Sequence, residues 1–137
     1  QKLKHFMKDL NKFYIDNDEF YDMDTSYSCF QWEDVNNANE SLIIFERINS
    51  KNEKIICIFN FTPVKREKYP VGVDNYALYS VVLNSSMKKY GGNLPRNKPY
   101  YSKNVEHNDR KFSITVDIEP FSAMFIKLNK LRNINKK

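Results

Sequence analysis

Glycine, cysteine, histidine and long apolar runs are all scarce in this chain, and each scarcity removes a class of function. The three glycines of 137 residues include the pair Gly91-Gly92, which stands alone. No glycine-rich loop follows a strand, so a phosphate-cradling nucleotide site is excluded. Cys29 and Cys57 lack the paired spacing of a disulfide framework or a metal knuckle. Cys57 sits in an apolar run and reads as a small core hydrophobe. The two histidines, His5 and His107, have no second ligand at metal spacing, and neither cysteine has a His and orienting group set by a local motif. No apolar run approaches the roughly 18 residues of a membrane span. Gln1–Asp9 has no apolar core of the kind a signal peptide needs. These readings together predict a cytoplasmic domain in a reducing compartment.

Calcium and glycosidase chemistry are equally thin. Asp16, Asp18, Glu19, Asp22 and Asp24 form an acidic segment. A calcium loop counted from Asp16 needs Gly at its sixth position and Glu at its twelfth. Those positions hold Tyr21 and Tyr27, so a solvated turn is predicted. A glycosidase needs two carboxylates facing each other on a rigid frame, whereas the acids here fall mostly in loops and on solvent faces. No catalytic residue, metal or cofactor is expected within the chain.

The net charge of +5 is also less informative than it looks. Lys127, Lys130, Arg132, Lys136 and Lys137 follow Ile126 with no acid among them, and without these five the cations and acids balance at 17 each. The excess reads as a flexible basic tail over 130–137, not as a nucleic-acid-binding patch.

What is present is a core. The composition is 41% hydrophobic and 15% aromatic, which suits one packed domain. Ile55–Val64 is apolar on both faces, Ile55, Cys57 and Phe59 on one and Ile56 and Ile58 on the other. That pattern predicts a strand at the centre of a sheet, stopped by Pro63. Leu42–Ile48, Tyr76–Leu83, Phe112–Ile118 and Phe121–Leu128 read as further strands. In Tyr76–Leu83 the residues Ala77, Tyr79, Val81 and Leu83 share one face. Lys65–Asn75 reads as a loop containing Pro70 and Gly72, and Asn84–His107 as a long polar loop. Leu3, Phe6, Met7, Leu10, Phe13 and Tyr14 recur every three or four residues, predicting an amphipathic helix over Lys2–Tyr14. It has no capping residue before it, which predicts that the helix starts before Gln1 in a longer protein. The fold class is therefore all-β, an antiparallel sheet folded into a sandwich or open barrel and preceded by one N-terminal helix. The expected divisions are 1–24 for helix and linker, 25–129 for the β-domain and 130–137 for the tail.

Aromatic residues in the loops, interleaved with amides and guanidinium groups, offer stacking faces and hydrogen bonds that suit sugar rings. Tyr90, Arg96, Tyr100 and Tyr101 are the candidate sugar contacts.

Several motifs then occur in a telling order. Asp9–Tyr14 is followed by Phe30-Gln31-Trp32-Glu33-Asp34 and by Asn39–Arg47. Next come Asn60-Phe61-Thr62-Pro63-Val64-Lys65-Arg66, Tyr69–Val73, Val82–Ser85, Tyr90-Gly91-Gly92 and Ile118–Ala123. Read together they resemble the C-terminal portion of a 1,4-α-glucan branching enzyme of the bacterial glycogen type, over residues 3–128. The resemblance implies an antiparallel β-sandwich, the non-catalytic C-terminal domain of a larger enzyme of the α-amylase superfamily. That enzyme would move an α-1,4-glucan chain to a 6-hydroxyl with retention and without a cofactor. Its catalytic carboxylates would lie on a barrel upstream of Gln1, which would make this chain inactive alone. The expected partners are that barrel, packed on Leu3, Phe6, Leu10, Phe13 and Trp32, and α-1,4-glucan; neither nucleic acid nor membrane is expected. An independent carbohydrate-binding module, or the C-terminal domain of another α-amylase-family enzyme, is the alternative.

Overall fold

The computed structural model describes residues 2–20, 30–32 and 42–133. Strand β3 (Lys54–Asn60) lies inside a six-stranded antiparallel sheet ordered β1 (Phe30–Trp32), β2 (Leu42–Ile48), β3, β8 (Ser122–Leu131), β5 (Ala77–Asn84) and β6 (Pro99–Tyr101). A second sheet pairs β4 (Arg66–Val73) with β7 (Phe112–Ile118). Helix α1 spans Lys2–Asp16, and a 3-10 turn follows at Asp18–Phe20. The antiparallel sandwich with one N-terminal helix is the architecture observed.

The double-sided apolar pattern of β3 explains the layering. Ile56 and Ile58 enter a core between the sheets, where they join Leu42, Ile44, Val71, Ile114 and Ile126. Ile55 and Cys57 point the other way, into a second cluster with Leu83 and Phe125, and the half-buried Phe6, Leu10 and Phe13 of α1 pack on it. The order of layers is thus helix, large sheet, small sheet. Full burial of side chains such as Ile58 and Ile126 contributes about 1.5–3 kcal/mol each.

The Asn60–Val64 motif acquires a physical role. Asn60 is buried, and its Nδ2 donates to the carbonyls of Val64 (2.9 Å) and Glu119 (3.0 Å). Its Oδ1 accepts from the Thr62 N–H and hydroxyl, at 3.0 and 2.7 Å. One side chain therefore ties the exit of β3 to the β7–β8 turn.

The structure corrects four expectations about the strands and the tail. Lys65–Asn75 is largely strand β4, not loop. Pro70 is tolerated because, among the described residues, β4 pairs with β7 alone and has no ladder on its other edge. Asn84–His107 is not one loop, since it contains a 3-10 turn at Lys88–Tyr90 and the edge strand β6. Leu83 does not share a face with Ala77, Tyr79 and Val81. The register slips between Val81 and Leu83, so Val81 opposes Ile126 in the inter-sheet core and Leu83 opposes Phe125 under the helix. A one-residue slip reverses every side chain that follows it. Lys130 and Leu131, expected in a tail over 130–137, belong to β8 and pair with Leu78 and Ala77. Arg132 then donates to the Ser102 carbonyl and the Tyr76 hydroxyl, both at 2.9 Å.

The acidic turn is also less solvated than predicted. Glu19 is buried and ion-paired with Lys127 at 2.7 Å, and Asp18 accepts from Asn49 at 2.9 Å. Cys29, Asp22, Asp24 and residues 134–137 lie outside the described residues. No described helix is long and apolar enough to cross a membrane.

Candidate functional site

Strand β6 alternates, as any strand does, so Tyr100 and Tyr101 leave it on opposite faces. Tyr100 packs against the inter-sheet core, and its hydroxyl oxygen accepts the Asp117 N–H at 3.2 Å. Burial pushes its phenol pKa up. Beside it opens a cleft of about 60 Å³ between β5, β7 and the segment leading into β6. Val81, Leu94 and Met124 supply its apolar lining, and Arg96, Asn97 and Tyr100 part of its polar lining.

Asn84 and two ion pairs complete the polar lining. Lys98 Nζ lies 2.9 Å from Asp117 Oδ2, and Lys65 Nζ lies 3.3 Å from Glu119 Oε2. The Lys98 hydrogen bond holds the Asp117 carboxyl below the ordinary carboxylate range, helped by the Lys68 N–H on its other oxygen. Asn97 Oδ1 is buried and has no hydrogen-bond partner among the described residues.

The structure thus brings Arg96 and Tyr100 together and separates them from the other two candidate glucan contacts. Tyr101 is 57% exposed, with the Arg132 guanidinium 5.2 Å from its ring centre and 4.2 Å from that of Tyr76. Tyr90 is only 9% exposed, so the open stacking face expected of it is absent. Its ring meets Phe6 edge-on at 4.9 Å and His5 at 5.3 Å, and its hydroxyl donates to Asp9 Oδ2 at 2.5 Å. Tyr90 anchors α1 to the sheet.

That anchoring has a pH signature. Burial and the Asp9 carboxylate push the Tyr90 phenol up, and burial pushes Tyr79 to about 12. A raised phenol pKa stabilises the fold fully below the unfolded value near 10 and loses that contribution as pH rises toward the folded value. Thermal melts from about pH 9 to about pH 11.5 are expected to show falling stability, and Tyr90→Phe to flatten part of the fall. An unchanged slope in Tyr90→Phe would mean that the phenol is not held in this seam.

Phe6, Leu10 and Phe13, the described members of the expected barrel interface, are half-buried on this chain's own sheet. The side chains of Leu3 and Trp32 lie outside the described residues. Met7 and Tyr14, one position further round the helix than Phe6 and Phe13, are each 46% exposed. A feature missed from the sequence is the stack Phe45–Phe59–Phe61, with ring centres 5.7 and 6.2 Å apart and Phe61 largely exposed. The i, i+2 spacing of Phe59 and Phe61 was its only local signal.

A larger cleft of about 340 Å³ lies at the opposite end of the sandwich, over Ile56, Val73 and Tyr79. Its charged rim includes Glu46, Lys54 and Asp74, and Arg110 pairs with both carboxylates. Among the described residues, no three His, Cys, Asp or Glu side chains gather as metal ligands would.

Comparison with known proteins sets these features in context. The family model described as "Alpha amylase, C-terminal all-beta domain" matches residues 32–129. The 1,4-alpha-glucan branching enzyme of Picrophilus torridus is 36% identical over 118 residues, covering 86% of this chain and 16% of that protein. The enzyme of the same name from Vibrio parahaemolyticus is 33% identical over 131 residues, covering 95% and 17%. That from Lactobacillus acidophilus is 33% identical over 141 residues, covering 99% and 22%. The chain spans about a fifth of the length of these relatives.

Proposed function

We propose that this chain, which belongs to the family of α-amylase C-terminal all-β domains, serves as the non-catalytic C-terminal domain of a 1,4-α-glucan branching enzyme. The observation that carries the reading is similarity to enzymes of that name over 86–99% of the chain. The parent enzyme would transfer an α-1,4-glucan chain to a 6-hydroxyl, and this domain would brace its catalytic barrel. The exposed Met7 and Tyr14 of α1 and the Phe59–Phe61 stack are apolar surfaces suited to that contact. Holding the glucan at a second place would raise its effective concentration at the barrel. The independent carbohydrate-binding module is not favoured by these relatives.

The test is a chimera in which this chain replaces the matching segment of the Lactobacillus acidophilus enzyme. Branching, followed by the fall in iodine staining of amylose, is expected within about threefold of the intact enzyme, and none is expected from the chain alone. Branching by the chain alone, or a folded chimera without activity, would overturn the proposal.

A further inference from the structure

We infer that the outward face of β5, β6 and the end of β8, around Tyr101, is a stacking platform for α-1,4-glucan. The inference rests on the glucan-holding part of the proposed function and gives it a location. In the large sheet Leu78 lies between Tyr101 on β6 and Lys130 on β8. Side chains two apart on a strand share a face, so Tyr76 and Ser80 join Leu78, and Pro99 joins Tyr101. Their neighbours Ala77, Tyr79 and Tyr100 turn inward to the core. The outward face is open: Tyr101 is largely exposed, and Pro99, Asn129 and Lys130 are exposed beside it. Neighbouring strands lie about 4.8 Å apart, so the row from Tyr101 to Lys130 spans about 10 Å, wide enough for a disaccharide unit.

The groups on this face select a sugar polymer. The Arg132 guanidinium lies over the rings of both Tyr101 and Tyr76, and hydrogen bonds to the Ser102 carbonyl and the Tyr76 hydroxyl fix it there. A ring backed on one side and open on the other is preorganised to meet the C–H face of a pyranose. Sugar hydroxyls donate and accept at once, and the face holds partners for both. Lys130 and Arg132 are donors without a carboxylate partner among the described residues, and they complement the oxygen-rich edge of a glucan. Asn129 donates to the Ser80 hydroxyl at 2.7 Å, which leaves its own carbonyl oxygen as an acceptor. Lys127, opposite Ser80, is already paired with Glu19. The larger cleft is a weaker candidate, because its ring, Tyr79, is buried and its Glu46 and Asp74 are paired with Arg110 and Lys54.

The test is an amide NMR titration of the chain with maltoheptaose, with inorganic phosphate in parallel. Saturable shifts are expected at 76–82, 99–102 and 129–132 for the sugar and not for phosphate. Tyr101→Ala, at an exposed position, is expected to weaken binding at least tenfold, and Lys130→Gln about threefold. Phe61→Ala, which removes a different exposed ring, is expected to change it less than twofold. In the chimera, Tyr101→Ala is expected to act on the KM for amylose, raising it at least threefold, rather than on kcat. If Tyr101→Ala lowered the melting temperature of the chimera but not of the chain alone, the barrel would cover this face and the inference would fall. Shifts centred elsewhere, equal saturation with phosphate, or unchanged binding in Tyr101→Ala would also overturn it. Absence of any sugar shift would do the same, while an active chimera would leave the branching-enzyme reading standing.

Discussion

Arg110→Ala is expected to lower the free energy of unfolding by about 3 kcal/mol, because it takes both guanidinium hydrogen bonds from a buried carboxylate and leaves it the more distant Lys54, at 3.9 Å. Glu46 is 2% exposed, and both its oxygens receive the Arg110 guanidinium, at 2.8 and 3.1 Å. Arg110 also reaches Asp74 at 3.2 Å. The arginine is aimed by a tight turn in which Asn108 and Asp109 both take positive φ, and His107 and Arg110 exchange backbone hydrogen bonds of 2.9 and 3.0 Å. Asn and Asp tolerate that conformation better than most residues. Urea denaturation reads the effect, and Glu46→Gln in the Arg110→Ala background is expected to restore about half of the loss. A cost below about 1 kcal/mol for Arg110→Ala would mean that the pair is screened like a surface ion pair.

Gly92→Ala is expected to cost about 2–3 kcal/mol or more by overpacking. A Cβ at position 92 would overlap the Ser86 carbonyl, and even the Ser86 Cα would lie only 2.7 Å away. These are backbone atoms, so no side chain can swing aside. The Ser86 carbonyl accepts the Leu94 N–H at 3.0 Å, which closes the turn that presents Tyr90 to α1. The substitution should therefore loosen the helix as well as the turn. Gly91 has φ 93° but no such clash, so Gly91→Ala is expected to cost only about 1–2 kcal/mol, from its left-handed backbone. Denaturation midpoints of the two variants, with amide exchange across α1, separate the mechanisms. Equal stability of Gly92→Ala and the parent chain would sink this account of the turn.

These two sites show where reading the chain residue by residue stops. Glu46 and Arg110 are 64 positions apart, and no local pattern connects them. The adjacent glycines 91 and 92 look alike in the sequence, yet one is required by its φ and the other by what lies against it. Tyr90 and Tyr101 are both polar-flanked tyrosines in a segment read as loop. Burial under α1 uses the first for packing, while the second remains exposed.

The strand pattern was legible because alternation is local. Ile55, Cys57 and Phe59 against Ile56 and Ile58 already specify a strand buried on both faces, and the spacing of Phe6, Leu10 and Phe13 already specifies a helix with one apolar side. The ordered motifs from Asn60 to Ala123 carried the family. Three outcomes required the third dimension. The slip at Val81–Leu83 depends on what opposes each residue on β8, and strand β4 forms despite Pro70 because, among the described residues, its second edge carries no ladder bonds. The meeting of Arg96, Asn97 and Tyr100 with Asp117 depends on where β6 and β7 lie in space. Elements and kinship could be read from the chain because periodicity and motif order act over a few residues. Which side chains share a cleft is set by contacts between distant strands, and only the folded molecule fixes those.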